Sequence, residues 1–277
     1  MTHDTERCLR KLPSNLVKFA VVLLFLFPFY WMVITSFKTY TEAIQFPPSL
    51  WPQHFNTTSY VTLLEKMNVI RYMKNTLIVT LSCIAMEMVV LVPAAYAFAK
   101  YEFAGKSLMF SLVLVAFMIP TQVTFITVYI MMARARLLKT LLPQIIPFGA
   151  NAFGIFLLRQ AFMQIPEEIV ESARLDNASE SKIMLQVMLP MCKSTIVTIA
   201  LFSFVSHWNN YFWPLVMTNS EAVQPLTIAM DKLKDVEVGI DWPLIMAGNV
   251  VLVAPILIVF IFASRKIISA FAYRGIK

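Results

Sequence analysis

Six long apolar runs dominate this chain of 277 residues. They cover about residues 17–37, 74–98, 107–131, 142–164, 193–217 and 243–264. Each is long enough to cross the roughly 30 Å hydrocarbon core of a bilayer, which takes about 20 helical residues. In lipid the backbone polar groups must be bonded within the segment, so such runs form helices. The sequence therefore predicts an all-α polytopic membrane protein with six transmembrane helices.

The composition agrees with a membrane protein. Hydrophobic residues make up 58% and charged residues 14% of the chain, and the mean hydropathy is +0.69, whereas an average soluble domain has about 25% charged residues. We interpret the net charge of +7 as basic anchors of cytoplasmic loops, because no basic stripe with interleaved aromatic residues indicates nucleic-acid binding. Cys8, Cys83 and Cys192 are too scattered for a disulfide framework or a metal site.

The segments between the runs predict the topology. The first run is too long for a cleaved signal peptide and is predicted to be an uncleaved span. Placing both termini in the cytoplasm puts 14 of the 23 Lys and Arg residues inside and 9 outside, as the positive-inside rule favours. The predicted divisions are a tail at 1–16, a membrane domain at 17–264 with a cytoplasmic loop at 165–192, and a tail at 265–277. The external segment 38–73 is predicted to be irregular, with a short helix from Thr57 to Lys66.

One internal segment is unusually polar, the stretch EEIVESARLDNASESKIMLQVMLP at 167–190. Pro166 suits the first position of a helix, and the two glutamates after it complement the helix dipole. Asp176 and Asn177 are typical of a helix end, Ser179 of the N-cap of a second helix, and Pro190 is predicted to end that helix. The pattern predicts a water-facing helical hairpin between spans four and five. So many charges in one loop favour a docked soluble partner; the alternative is a solvated amphipathic loop without one.

The loop between the second and third runs contains Gly105-Lys106-Ser107, which matches the end of a phosphate-binding loop. The first glycine of that pattern would stand at position 100, where the chain has Lys100, and no buried strand precedes it. Nucleotide binding by this chain is therefore not predicted. If ATP drives the protein, another subunit binds it.

A second polar cluster, HWNNYFW at 207–213, lies in the fifth run. Polar groups at membrane depth are costly unless they line a cavity or pair across helices. Amides can bond sugar hydroxyls, and an indole ring can stack on a pyranose. The candidate pathway residues are Trp208, Asn209, Asn210, Tyr211 and Trp213. The alternative is an aromatic belt with amides that hold helices together.

Glu87 lies near the centre of the second run. A charge at that depth costs at least about 2.5–3.5 kcal/mol, so the carboxyl should face protein or water. Its helix neighbours offer no cation. Glu87 is predicted either to line a pathway or contact a partner subunit, or to be a hydrogen-bonded structural carboxyl.

The hairpin resembles the permease subunits of bacterial binding-protein-dependent ABC importers, whose cytoplasmic loop carries an EAA motif. The matching residues are Glu171-Ser172-Ala173, then Asn177, then Val187-Met188-Leu189-Pro190. Asn177 stands where the family usually has glycine, and Ser172 where it usually has alanine. WNNYFWPL at 208–215 and the last span also match, and the carbohydrate branch, of the maltose and glycerol-phosphate type, is the most similar. Within that branch the chain resembles the second permease of the pair.

The resemblance implies a coupling helix at about Glu168 to Leu175 that sits in a groove of an ATPase subunit. The implied ATPase-coupling residues are Glu168, Glu171, Ser172, Ala173, Arg174, Asp176, Asn177, Ala178, Ser179, Leu189 and Pro190. The implied partners are two ATPase subunits, a second homologous permease subunit and an extracytoplasmic solute-binding protein, with the lipid bilayer around them and no nucleic acid. The polar loop 218–242 resembles in position the family loop that reaches into the binding protein.

The expected function is ATP-driven import of a sugar or related small solute by alternating access, across a bacterial inner or plasma membrane. This chain is expected to bind no cofactor or metal and to catalyse no reaction, with ATP and Mg²⁺ held in the ATPase subunits. The alternative is a secondary transporter driven by an ion gradient, which predicts intramembrane ion-site clusters and internal repeats. An enzyme is disfavoured because His3, His54 and His207 are dispersed.

Overall fold

The computed structural model describes residues 2–234 and 239–272, with side chains described over 15–234 and 239–262. Within these ranges every regular element is helical, which confirms the predicted all-α class. The helices are α1 (Thr2–Ser36), α2 (Tyr40–Ala43), α3 (Thr58–Lys66), α4 (Val69–Lys100), α5 (Lys106–Met118), α6 (Thr121–Arg134), α7 (Ala152–Met163), α8 (Glu167–Leu175), α9 (Glu180–Lys182), α10 (Leu189–Met191), α11 (Lys193–Trp208), α12 (Phe212–Met217), α13 (Leu226–Asp231) and α14 (Trp242–Ala272). A π-helix covers Ile183–Met188, and short 3-10 turns cover Leu142–Gln144, Ile146–Phe148 and Glu221–Val223. Residues 273–277 of the predicted tail lie outside the described residues.

Three single helices in the described ranges are long and apolar enough to cross a bilayer, at Asn15–Ser36, Val69–Lys100 and Trp242–Phe262. Three bent pairs raise the number to six if each pair is one span. The pairs are Lys106–Met118 with Thr121–Arg134, Leu142–Phe148 with Ala152–Met163, and Glu180–Met191 with Lys193–Trp208. The six crossings therefore stay a prediction. The structure adds that three of the helical segments that could cross the membrane are bent pairs of helices.

The sharpest bend falls at Pro120. Helices α5 and α6 meet there at 95°, and both Ile119 and Pro120 have extended backbone angles. Proline lacks an N–H and disfavours a helical conformation in the residue before it, so the helix stops at this point. The run 107–131 is therefore two helices rather than one straight span. In contrast, α4 and α14 continue through Pro93 and Pro255.

One compact unit comprises residues 1–69 and 230–254. After α1 the chain folds around buried charges: Lys38 is 2% exposed, and its ammonium lies 4.5 Å from the centre of the Trp31 ring and donates to the carbonyl of Ser49. The carboxylate of Glu42 accepts from the Ser49 hydroxyl at 3.0 Å and from the Gln53 N–H at 2.8 Å. The predicted short helix of this external segment is present as α3.

A second compact unit comprises residues 70–229 and 255–277. Its core brings α4, α7, the hairpin helices and α11 together. Leu91, Leu158, Phe162, Val170 and Ile183 are all fully buried in it. Val170 belongs to α8 and Ile183 to the π-helix, so the polar hairpin is anchored on the apolar helices by the same core that joins those helices.

Candidate coupling surface and intramembrane polar cluster

The hairpin turns where the sequence predicts. Helix α8 ends at Leu175, and Asn177 has a φ of 55°, the left-handed conformation that asparagine tolerates better than most residues. The Ser179 hydroxyl accepts the N–H of Lys182 and caps α9. Pro166 precedes the first helical residue instead of occupying it, an offset of one residue that is common at helix ends.

The two faces of α8 have different environments. Val170 is fully buried, and Ile169 and Ala173 pack on the same core. The opposite face presents Glu168, Glu171 and Ser172, which are exposed. Ala173, one of the implied coupling residues, is half-buried and packs against the chain's own core, so it helps to anchor the hairpin, while its coupling role stays a prediction. Of the other coupling candidates, Ala178 and Leu189 also pack inward, whereas Arg174, Asp176, Asn177, Ser179 and Pro190 are exposed.

Leu175 completes the outward face and was missed among the predicted site residues. Its side chain is 84% exposed, at the end of a helix whose other large apolar side chains point inward. Positions three and four apart share a helix face, so Leu175 stands beside Glu171 and Ser172. The sequence alone could have predicted this exposure, because helical spacing places Leu175 on the side of α8 opposite the apolar stripe formed by Ile169, Val170 and Ala173.

Ion pairs fix the hairpin to itself and to α4. The guanidinium of Arg174 lies 2.8 Å from the Glu180 carboxylate, which also accepts from the Tyr96 hydroxyl at 2.6 Å. Lys100, at the end of α4, pairs with Glu167 at 2.7 Å. The hydrogen bond from the Arg174 guanidinium is the largest cause that lowers the pKa of Glu180 to about 2, and the hydrogen bond from the Tyr96 hydroxyl is the next. The Glu180 carboxylate therefore stays charged at neutral pH. Arg174 therefore closes the hairpin, while its implied role in ATPase coupling stays a prediction.

The second hairpin helix ends at Met191, one residue after the end predicted at Pro190. Helical structure continues through Pro190 to Met191, after which the chain bends by 82° into α11. The preceding turn is a π-helix in which the Leu189 N–H bonds the Met184 carbonyl, five residues earlier. A proline inside an α-helix clashes with the carbonyl four residues before it, and the wider π turn accommodates that ring.

The carboxyl of Glu87 lies in an intramembrane polar cluster with Ser203, His207 and Asn151. Glu87 is 3% exposed, and its oxygens lie 2.9 Å from His207 Nε2 and 2.5 Å from the Ser203 hydroxyl. Asn151, the N-cap of α7, donates to the same hydroxyl at 3.3 Å. This burial is what the structural-carboxyl alternative predicts, while a pathway role for Glu87 stays a prediction. Ser203 and His207 were missed as its partners, although their spacing of four places them on one helix face.

The comparisons with known proteins now decide the family. The family described as "Binding-protein-dependent transport system inner membrane component" matches residues 91–271, well over half of the chain. The chain belongs to this family. The resemblance found in the hairpin and the last span is thereby confirmed.

Relatives of the permease cover nearly its whole length. It is 29% identical over 243 residues to the permease protein of the diacetylchitobiose uptake system of Streptomyces coelicolor (87% of this chain, 80% of that one). It is 25% identical over 268 residues to the permease protein of the sn-glycerol-3-phosphate transport system of Brucella abortus (94% and 95%). A crystal structure of a bacterial ABC transporter that imports the acidic polysaccharide alginate matches with a TM-score of 0.82 at 23% identity (96% and 98%). At that identity the match concerns the fold.

The candidate pathway residues of the permease surround a break in its fifth predicted span. Helix α11 ends at Trp208, and α12 begins at Phe212; the Asn210 side chain accepts the N–H of Trp213 at 3.2 Å across the break. Trp208 and Trp213 are buried in the chain's own core, and the Trp213 indole donates to the Pro143 carbonyl at 2.8 Å. Asn209 and Tyr211 are exposed, and Asn210 is half-buried. The two tryptophans thus support the break from inside.

A small cavity lies beside this break. It measures about 10 Å³ and is lined in part by Gln144, His207 and Asn210. That is room for about one water molecule, so this cavity cannot hold a sugar. Among the described residues, no group of three or more His, Cys, Asp or Glu side chains is placed to hold a metal ion.

The start of the polar loop 218–242 is held against α4. Tyr72 donates to the Glu221 carboxylate at 2.5 Å, and the Asn75 amide donates to the carbonyls of Ala222 and Gln224 at 2.8 and 2.9 Å. The loop up to Leu226 is therefore tied to a membrane helix. Residues 235–238 of this loop lie outside the described residues.

Proposed function

We propose that this chain is one of two permease subunits of an ATP-driven importer that moves a sugar or related small solute into the cell by alternating access. The names of its relatives support this class of solute, because they concern a chitobiose derivative, glycerol 3-phosphate and alginate. Oligosaccharides, polyols and glycerol phosphate are all within the proposal. A second permease, two ATPase subunits that hold ATP and Mg²⁺, and an extracytoplasmic binding protein complete the assembly.

The observation that carries the proposal is the outward face of α8. It exposes Glu168, Glu171, Ser172 and Leu175, while its inward face is packed on the core that joins α4, α7 and α11. An apolar side chain within a charged rim is the usual composition of a docking contact. A force applied to this face passes through buried packing to the membrane helices, as coupling to an ATPase subunit requires.

We also propose a membrane topology and a solute pathway for this chain. Both termini and the hairpin, including Glu180–Met191, lie in the cytoplasm of a bacterial cell. The first two bent helix pairs each form one span, and α11 with α12 forms the fifth. Asn209, Asn210 and Tyr211 line the solute pathway at the break in the fifth span, because an interrupted helix at membrane depth is tolerated where it borders a cavity or protein. Trp208, Trp213 and Glu87 support them from the interior of the chain.

Leu175→Ser and Glu171→Lys test the coupling face in the intact complex. Each variant should lower solute uptake by roughly tenfold or more, since a central hot-spot residue of an interface is worth at least about 2 kcal/mol. ATP hydrolysis should become uncoupled from uptake. It should either continue without transport or no longer respond to the solute-loaded binding protein. Leu64→Ser is the matched control, because Leu64 is a leucine of α3, 63% exposed, in the predicted external segment.

Normal uptake in both hairpin variants, or an equal loss in the Leu64→Ser control, would refute the coupling role. Ala173→Asp is unsuitable for this test, because it would place a charge against the hydrophobic core. Folding of each variant is checked by its co-purification with the second permease.

A secondary transporter is the second candidate, and one observation favours it. The pair of Glu87 and His207 within the membrane helices is the type of proton-binding group that gradient-driven transporters use. Uptake after ATP depletion, measured while a proton gradient is maintained, separates the two candidates. Our proposal predicts that uptake stops, and persistent uptake would favour the secondary transporter.

A further inference from the structure

A pocket separate from the coupling face and from the fifth span opens where α5 begins. Its volume is about 430 Å³, and it is lined by Glu102, Phe103, Gly105, Lys106, Ser107, Phe110, Ser111 and Arg159. Ligand sites commonly have volumes of about 300–1,000 Å³. The loop that forms one wall joins two predicted spans, so the pocket lies at the level of a membrane surface.

Two cations and one carboxylate line this pocket. Lys106 pairs with Glu102 at 2.8 Å, while Arg159 comes from α7 and donates its Nε–H to the Phe98 carbonyl at 3.0 Å. The Arg159 guanidinium also lies 4.1 Å from the centre of the Phe110 ring. These contacts orient the side chain, and no other described residue bonds its two terminal nitrogens. The pocket therefore has a net positive charge and a fixed guanidinium fork.

The wall beside the pocket is apolar and uncovered. Helix α5 has no buried residue, and Leu108, Leu112 and Val115, which follow one another at helical spacing, are 66%, 58% and 54% exposed. Leu108 and Val115 stand three residues before and four residues after Ser111, which lines the pocket, so the stripe borders the pocket at Ser111. A molecule that fills the pocket and covers the stripe needs an anionic head and a long apolar tail.

We propose that the pocket binds the phosphate of an anionic phospholipid, whose acyl chains lie along Leu108, Leu112 and Val115. Arg159 bonds two phosphate oxygens through its terminal nitrogens, a geometry that guanidinium groups favour. Lys106 supplies the second positive charge, and Ser107 and Ser111 supply hydroxyl donors. Basic pockets beside membrane helices are a known means of holding anionic lipid head groups. This site is independent of the ATPase contact, because it uses none of the outward residues of α8.

Charge decides which lipid is retained. A phosphatidylcholine head carries a cation as well as a phosphate, and that cation would meet Lys106 and Arg159. A phosphatidylglycerol head carries only the phosphate charge. We therefore expect phosphatidylglycerol to be retained over phosphatidylcholine of the same acyl chains.

The experiment is native mass spectrometry of the intact complex, released from nanodiscs that contain equal amounts of the two lipids. The wild-type complex should retain phosphatidylglycerol. Lys106→Gln and Arg159→Lys should each lower its retention by roughly tenfold, since one charge-assisted hydrogen bond is lost or weakened. Glu102→Gln should raise retention, because it removes the competing carboxylate. Arg159→Lys keeps the positive charge and tests the fork itself.

Four results would overturn the proposal. They are equal retention of the two lipids by the wild type, unchanged retention in Lys106→Gln, lowered retention in Glu102→Gln, and displacement of the lipid by excess inorganic phosphate, which would make free phosphate the ligand. Each variant is compared at equal yield of assembled complex. Among the described residues Lys106 pairs with one exposed glutamate, so its variant is expected to fold even if Arg159→Lys does not. The coupling test remains valid whichever result is found.

Discussion

The hairpin and the cluster around Glu87 are both polar regions of an apolar chain, but they satisfy their polar groups in opposite ways. In the hairpin, Glu168, Glu171 and Ser172 face outward. In the cluster, the carboxylate of Glu87 is 3% exposed and is bonded to two side chains of α11. Polar residues within this membrane protein therefore have two separate environments, an exposed helix face and a buried contact between helices, and burial distinguishes them.

The largest effect is expected from breaking the buried contact between Glu87 and His207. His207→Leu leaves the Glu87 carboxyl buried with one hydrogen-bond partner fewer, and such a loss costs about 1–3 kcal/mol, or more for a charged group. The double variant Glu87→Leu, His207→Leu should recover most of this stability, because no unpaired charge remains. Thermal unfolding of the purified permease complex measures both.

Equal losses of stability in the single and the double variant would show that the contact between Glu87 and His207 does not stabilise the packing of α4 against α11. Glu87→Gln adds a second criterion, since it keeps the shape of the side chain and removes its charge. Full uptake and assembly in that variant would mean that the charge of Glu87 is not required for transport.

An intermediate effect is expected at the hairpin turn. Asn177→Val places a branched side chain at a φ of 55°, which costs roughly 1–2 kcal/mol. Asn177→Gly should be neutral or slightly stabilising, because glycine adopts this conformation without a steric penalty. Hydrogen exchange of the amides at 174–182 should rise in the valine variant alone. A rise in both variants would mean that the side chain of Asn177, rather than its backbone conformation, stabilises the turn.

The smallest effect is expected from the exposed pair of Arg174 and Glu180. The pKa of Glu180 is lowered from 4.5 to about 2, so its contribution to stability is complete above pH 4.5 and is lost as the pH falls towards 2. Glu180→Gln should speed exchange in the hairpin slightly at neutral pH, since the pair is 37–41% exposed and such pairs contribute at most about 1 kcal/mol. The difference from the wild type should disappear in strong acid. A difference that persists there would assign the effect to another contact.

Local signals predicted the hairpin well. The turn at Asp176 and Asn177 and the cap at Ser179 depend on backbone preferences of a few neighbouring residues, and all are found. The end of the second helix lies one residue after Pro190, but the π turn before it was not predicted, because a pattern based on α-helices does not contain such a turn. Leu175 could have been identified from its position off the apolar stripe, without a structure.

The partners of Glu87 were beyond the reach of local signals. His207 is 120 residues away in the sequence, and only the packing of α4 against α11 brings the two side chains together. The same is true of Trp213 and the Pro143 carbonyl, 70 residues apart, a contact that makes this tryptophan a support within the core. The packing of Ala173 against the core formed by distant helices is a further contact that spacing alone does not reveal.

The sequence by itself determined that this is a helical membrane protein of the binding-protein-dependent permease family, because apolar length and a short polar motif depend only on residues close together in the chain. The tertiary structure decided which polar residues face outward, which fasten helices together, and where α5 and α7 form a basic pocket. Those properties depend on contacts between distant segments. Burial, which sets the cost of each polar group, exists only once the helices are packed.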